Sequence, residues 1–168
     1  LDAADGSLFS TMPSPINLAA TSVGMAFDGS SIFLSDFQTK TVYEIDAATG
    51  VLLDSDVIGK NIDGAAALNG KLYLSNPYND TIFEFDPVND TITNQFNVTD
   101  GGTTVKLVGG LASIEAPDQL VATTANNQIV FFNPATGVVE DSFFHGGESD
   151  VGAAVVGQEL HLSYAGPA

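Results

Sequence analysis

The chain has 168 residues, with 21 Asp or Glu against 4 lysines and no arginine, for a formal net charge of −17 at pH 7. Lys40, Lys60, Lys71 and Lys106 cannot neutralise a phosphate backbone or form a polybasic segment, which excludes nucleic acids and anionic lipid surfaces as partners. There is no cysteine for a disulfide framework, a zinc–thiolate site or a thiol nucleophile, and no apolar run is long enough to span a bilayer.

With 44% apolar residues the chain holds enough apolar surface to offset the entropy of ordering, and its length suits one domain. It begins at Leu1 rather than Met, so a processed protein or an excised fragment is expected. In chain order, Leu1–Met12 aligns with the later stretch starting at Ile45, and reads as a turn plus an outermost strand. A first repeat unit, residues 16–59, then runs through Gly24-Met-Ala-Phe-Asp-Gly29, Ser31–Asp36, Thr41–Asp46 and Val51–Asp54. A second unit, 60–106, repeats the order with Gly64–Gly70, Lys71–Asn76, Thr81–Asp86 and Thr91–Phe96. A third, 107–150, does so with Gly110–Ile114, Leu120–Thr124, Ile129–Phe132 and Val138–Asp141. Residues 151–168 match the first two strands again and, with 1–15, make a partial fourth unit.

Short runs rich in Val, Ile, Phe, Tyr and Thr, with no helical spacing, predict strands throughout. Asn69-Gly70 is a two-residue hairpin signal, because both central residues must tolerate positive φ. Asp46-Ala-Ala-Thr-Gly50 and Asn133-Pro-Ala-Thr-Gly137 each put a side-chain acceptor first and a left-handed glycine last. The stretches Thr99–Lys106 and Glu115–Asp118 are expected to be longer loops. Four antiparallel strands per unit of roughly 40–50 residues is a propeller blade. The expected fold is therefore all-β: three complete blades plus a partial fourth split between the termini. A four-bladed ring with a deficient seam, a two-copy ring of roughly eight blades, and a segment of a longer repeat array are all consistent with this count.

The pattern Gly-x-Ala-Phe-Asp-Gly, Ile-Phe-Leu-Ser-Asp and Thr-Val-Tyr-Glu-Ile-Asp-Ala-Ala-Thr-Gly-x-Leu-Leu resembles the repeats of bacterial extracellular β-propeller proteins. These are the YncE-like, quinoprotein-like and NHL-like groups, including PEP-CTERM-type surface proteins, and the resemblance covers nearly the whole chain. It implies a propeller at the cell surface or outside the cell. Quinoprotein repeats usually carry a tryptophan after the Asp-x-x-Thr-Gly turn, and this chain has none. Propeller lyases converge several histidines on the channel, whereas this chain has His145 and His161 on non-equivalent strands.

Candidate ligand-binding positions are Ser22, Asp63 and Asp150, just ahead of inner strands, and His145, at the exit of an outer strand. Asp63 and Asp150 are the candidate metal ligands, and their oxygen chemistry points to a hard cation such as Ca²⁺. Many of the other carboxylates cap turns. Asn79, Asn89 and Asn97 head Asn-x-Thr sequons, candidate glycosylation sites in a secreted protein. The function expected on this basis is an extracellular scaffold or adhesion-type module. Its partner would be itself or another repeat chain, self-assembling through unpaired terminal strands, with cations as small partners. The alternative is a propeller lyase or hydrolase with a metal in the axial channel. A carbohydrate-binding module lacks its usual tryptophan platform.

Overall fold

A computed structural model of the chain describes Thr11, Ser14 and residues 23–145, 150–156 and 159–164. Among these residues there are strands and turns but no helix, so no helix long and apolar enough to cross a membrane. The first sheet is a four-stranded antiparallel meander of β1 (Val23–Phe27), β2 (Ser31–Asp36), β3 (Thr41–Asp46) and β4 (Leu52–Val57). The second repeats it with β5 (Ala65–Leu68), β6 (Lys71–Asn76), β7 (Thr81–Asp86) and β8 (Thr91–Asn97). A short hairpin follows, β9 (Thr99–Asp100) with β10 (Thr103–Thr104). The third sheet holds β11 (Leu107–Glu115), β12 (Asp118–Thr124), β13 (Gln128–Phe132) and β14 (Val139–Phe144). The fourth has two described strands, β15 (Asp150–Val156) and β16 (Glu159–Tyr164). The contribution expected from residues 1–15 lies outside the described residues, apart from Thr11 and Ser14.

Local chemistry accounts for the turns. The Asp46 carboxylate accepts the backbone N–H groups of Ala48 and Thr49 and the Thr49 hydroxyl, and Gly50 closes the turn at φ 73°. Asn133 does the same for Ala135 and Thr136, with Gly137 at φ 72°. In the second sheet Asp86 caps Val88 and Asn89, and Asp90, at φ 54°, takes the place of the glycine. Asn69 and Gly70 both have positive φ and join β5 to β6 directly.

Two stretches expected to be longer loops are instead paired. Thr99–Lys106 contains the β9–β10 hairpin, turned by Gly101 and Gly102 at φ 54° and 84°, which folds back so that Val105 donates to the Val98 carbonyl. Glu115 and Asp118 face each other as the last pair of the β11–β12 ladder, so this stretch is a tight hairpin turn. Gly, Pro, Asp and Thr mark a turn but do not reveal whether the flanking residues pair across it.

The sheets pack face to face. Ala26, Phe33 and Val42 on the front face of the first sheet meet Leu72, Leu74 and Phe83 on the back of the second. Ala66, Tyr73 and Ile82 on the front of the second meet Leu111, Leu120 and Val130 on the back of the third. Ala112, Val121 and Ile129 on the front of the third meet Ala153, Val155 and Leu160 of the fourth. The second sheet is thus buried on both faces, and β6 and β7 read as nearly continuous buried runs rather than alternating ones.

A repeated hydrogen-bonded latch sets the spacing at the inner strands. Ser35 Oγ accepts the Gly24 N–H at 3.0 Å and donates to the Asp63 carbonyl of the next sheet at 2.9 Å. Ser75 Oγ accepts the Gly64 N–H at 2.9 Å and donates to the Gly109 carbonyl at 3.0 Å. A Cβ on Gly24 would overlap the Asp63 carbonyl oxygen, and one on Gly64 would overlap that of Gly109. These glycines are needed because the neighbouring backbone occupies the space of a side chain. The Leu111–Ala122 pairing puts Thr123 at the same position in the third sheet, but its Oγ1 is buried with no hydrogen-bond partner.

Candidate functional site

Strands β1, β5, β11 and β15 all border one open hollow of about 370 Å³, called the axial cavity below. Its described lining is apolar, with Met25, Phe27, Ala66, Leu111 and Ala153 among it, and Ser113 is the one polar side chain there. The Ser113 hydroxyl already donates to the Ala67 carbonyl at 2.7 Å. The small residues follow from convergence of four backbones on one axis, and Met25 and Phe27 supply the bulk on one side.

Neither Asp63 nor His145 is in the described lining of this cavity. Asp63 lies two residues ahead of Ala65, at the end of the cavity where the latches sit. Its N–H donates to the Ser75 carbonyl, its own carbonyl accepts from Ser35, and its carboxylate packs against Gly109, whose φ is 108°. Asp150 is the first residue of β15, paired with Tyr164. Ser22 lies outside the described residues.

His145 sits at the outer edge, after β14. Its N–H donates to the carbonyl of Asn127, which has φ 58°. In the first sheet, Ile58 and Gly59 donate in the same way to Lys40, which has φ 59°. The position of His145 is therefore that of the residue closing a blade, and its ring stacks on Phe144 with centroids 6.4 Å apart.

Of the sequons, Asn79 and Asn89 are exposed in turns, and the Asn89 amide donates to the Asp86 carboxylate at 3.0 Å. The Asn97 amide is engaged, donating to the Asn79 carbonyl at 3.1 Å and the Asp80 carbonyl at 2.8 Å. A glycan on that nitrogen would disrupt both bonds.

The structure brings together three carboxylates that spacing along the chain did not group. Asp54 and Asp56 alternate on β4, and Asp90 comes from the β7–β8 turn of the next sheet, with oxygens of all three within 4.8 Å of one another. Asp56 and Asp90 border a second hollow of about 380 Å³ lined also by Val57, Phe85 and Ile92. Partial burial, then Asp90, Asp54 and Glu44, push the Asp56 carboxyl above its ordinary range. An all-oxygen set of this kind suits a hard cation, and it lies at the outer edge of the blades rather than on the axis. The signal available in sequence was the alternation Asp54-x-Asp56; the contribution of Asp90 depends on how neighbouring sheets stack.

Two further charged contacts belong to the scaffold. Lys71 meets Asp86 at 2.5 Å and holds its carboxyl well below the usual carboxylate range, helped by Asn89. Lys106 meets the buried Asp80 at 2.5 Å, and Asp80 also accepts the Leu107 N–H at 3.1 Å, tying the second sheet to the third. Burial and the nearby Glu84 push the Tyr73 hydroxyl up to about 12.

On β1, Met25 and Phe27 are 67% and 59% exposed, and in the strand register they stand beside the half-buried Leu34 and Ile32.

No protein-family model matches the chain, and no curated protein sequence matches it. Solved structures do. Myxococcus xanthus glutaminyl cyclase matches with a TM-score of 0.72 at 16% identity, over 83% of this chain and 66% of that one. The WD40 repeats of RRP9 match at 0.56 and 13% identity, over 82% and 43%. The fold is that of β-propeller blades. Kuenenia stuttgartiensis hydrazine synthase also matches, at 0.58 and 15% identity, over 88% and 42%. The chain thus spans 66%, 43% and 42% of these three structures, under two thirds of each. At such identities the likeness carries the fold and not the chemistry.

Proposed function

We propose that the chain is an extracellular structural and interaction module, a row of propeller blades that binds protein through the ends of the row. Its partner is another copy of itself or another chain of the same repeat. The observation that carries this reading is the exposure of Met25 and Phe27 on β1, where Ala65 and Leu111, the counterparts of Met25 on the next two inner strands, are buried. Exposed apolar side chains on a strand with no catalytic constellation beside it among the described residues favour docking over chemistry. The charge of −17 keeps such a protein soluble while its apolar ends associate. The exposed Asn79 sequon suits an extracellular setting.

Light scattering from low micromolar to near-millimolar concentration tests the proposal. We expect a mass that rises with concentration and a Met25→Lys variant that stays monomeric. A compact monomer at every concentration overturns it.

A further inference from the structure

We propose that the outer strands close themselves to strand addition: on β4, β8 and β14 an Asp or Asn side chain takes the central backbone N–H that an incoming strand would need. These are the long edges of the blades, not the ends of the row, so the device stands apart from the docking reading above.

Strands β4, β8 and β14 are each the last of their sheet, and among the described residues no strand pairs with their outer side. Such an edge is a template for pairing with another chain. Two of the three also carry exposed apolar side chains, Leu53 and Val57 on β4 and Phe143 and Phe144 on β14.

All three carry the same interruption at the same register. The ladder to the third strand skips Leu53, Thr93 and Glu140, a bulge at one equivalent point of each sheet. The next residue supplies the cap. The Ser55 N–H donates to Asp54 Oδ1 at 2.7 Å, the Gln95 N–H to Asn94 Oδ1 at 2.8 Å and the Ser142 N–H to Asp141 Oδ1 at 2.8 Å. In the register, Ser55, Gln95 and Ser142 stand opposite the equivalent residues Tyr43, Phe83 and Val130.

The capped groups point away from the sheet. Further along the same strands, Ile58 and His145 donate inward, to the Lys40 and Asn127 carbonyls. The N–H direction alternates along a strand, so Asp54 and Asp56 face inward with Ile58, and Ser55 and Val57 face outward. Likewise Ser142 and Phe144 face outward on β14. A strand partner needs outward donors at every second residue. Here the bulge displaces one and a side-chain oxygen occupies the next, so the row is broken at its centre. Asn94 does with an amide oxygen what Asp54 and Asp141 do with a carboxylate, so the shared element is the acceptor and not the charge.

A labelled synthetic peptide of the sequence Thr91–Asn97, which carries no charged side chain, is the probe for an open edge. Its binding to the full chain is followed by fluorescence anisotropy. We expect the triple variant Asp54→Ala, Asn94→Ala, Asp141→Ala to bind it at least about tenfold more tightly than the parent. The double variant Asp54→Asn, Asp141→Asn keeps both acceptors without their charge and should bind it no more tightly than the parent. Equal binding by the parent and the alanine variant overturns the proposal, and so does an asparagine variant that opens as far as the alanine one. Hydrogen exchange of the parent needs no substitution. Corrected for intrinsic rates, the Ser55, Gln95 and Ser142 amides should exchange at least about tenfold more slowly than the outward amides of Val57 and Phe144. Equal rates overturn the proposal, whether or not the alanine variant folds.

Discussion

Between the first and second sheets, and again between the second and third, a serine hydroxyl bridges an inner-strand glycine and the carbonyl ahead of the next inner strand. Between the third and fourth sheets the equivalent hydroxyl, on Thr123, is buried without a partner. The two latched joints combine apolar packing with a hydrogen bond that demands backbone contact. Among the described residues the third joint has no such bridge, and Val121 and Ala153 stand where Tyr73 and Leu111 stand one joint earlier.

The strongest way to break this comparison is to fill the space that close approach requires. Gly64→Ala places a methyl on the Gly109 carbonyl, and backbone cannot move aside as a flexible side chain can. We expect a loss of more than about 3 kcal/mol in urea unfolding. A cost below about 1 kcal/mol would mean that the second and third sheets are not latched as described. Asp80→Ala comes next. It removes the partner of Lys106 and leaves the Leu107 N–H without its acceptor, for an expected loss of about 1–3 kcal/mol. Asp80→Asn, which keeps an acceptor for that N–H, should recover part of the loss.

The latch itself is tested by a pair of substitutions with opposite expectations. Ser75→Ala strands the Gly64 N–H and the Gly109 carbonyl, and should cost about 1–2 kcal/mol. Thr123→Val removes a hydroxyl that bonds nothing while keeping the shape of the side chain, and should be neutral or stabilise by up to about 1 kcal/mol. Equal losses from both would erase the distinction between the joints.

Much of the blade was legible because its determinants are local. Asp46 with Gly50, Asn133 with Gly137, and the Asn69-Gly70 hairpin carry their conformations in their own side chains and φ preferences. The spacing of Gly24, Gly64 and Gly110 was visible as well, but its cause was not, since the atom that excludes a Cβ belongs to the next sheet. Thr99–Lys106 was misread for a related reason: whether Asp100 and Thr103 pair depends on a partner across a turn, not on composition. The site was less legible than the fold. His145 was a candidate ligand from its place at the exit of an outer strand; that its N–H bonds the Asn127 carbonyl depends on a partner across a turn. Asp54, Asp56 and Asp90 became a group only when neighbouring sheets were stacked.

That acidic group supplies the smallest expected effect and separates the rims of the first two joints. At the first joint, like charges meet across it: Asp56 and Asp54 from the first sheet, Asp90 from the second. At the second joint, Lys106 meets Asp80 with opposite charge. Because burial and its acidic neighbours raise the Asp56 value above the ordinary 3.8, its ionised form is less favourable in the folded chain than in the unfolded one. Its favourable contribution is complete below that ordinary value and is lost as pH rises through the raised folded one. Asp56→Asn should therefore stabilise at neutral pH, by a few tenths of a kcal/mol given solvent screening, with the gain vanishing as pH falls below about 4. Asp86 has the opposite sign. Lys71 depresses its value, so its contribution is present above the ordinary value and lost as pH falls through the depressed one, and Asp86→Asn should destabilise at neutral pH and converge with the parent in acid. Melting temperatures of the two variants against the parent, followed from neutral to acidic pH, should approach it from opposite sides. Approach from the same side would show that Asp56 is not crowded by its neighbours, and would remove the electrostatic contrast between the two joints.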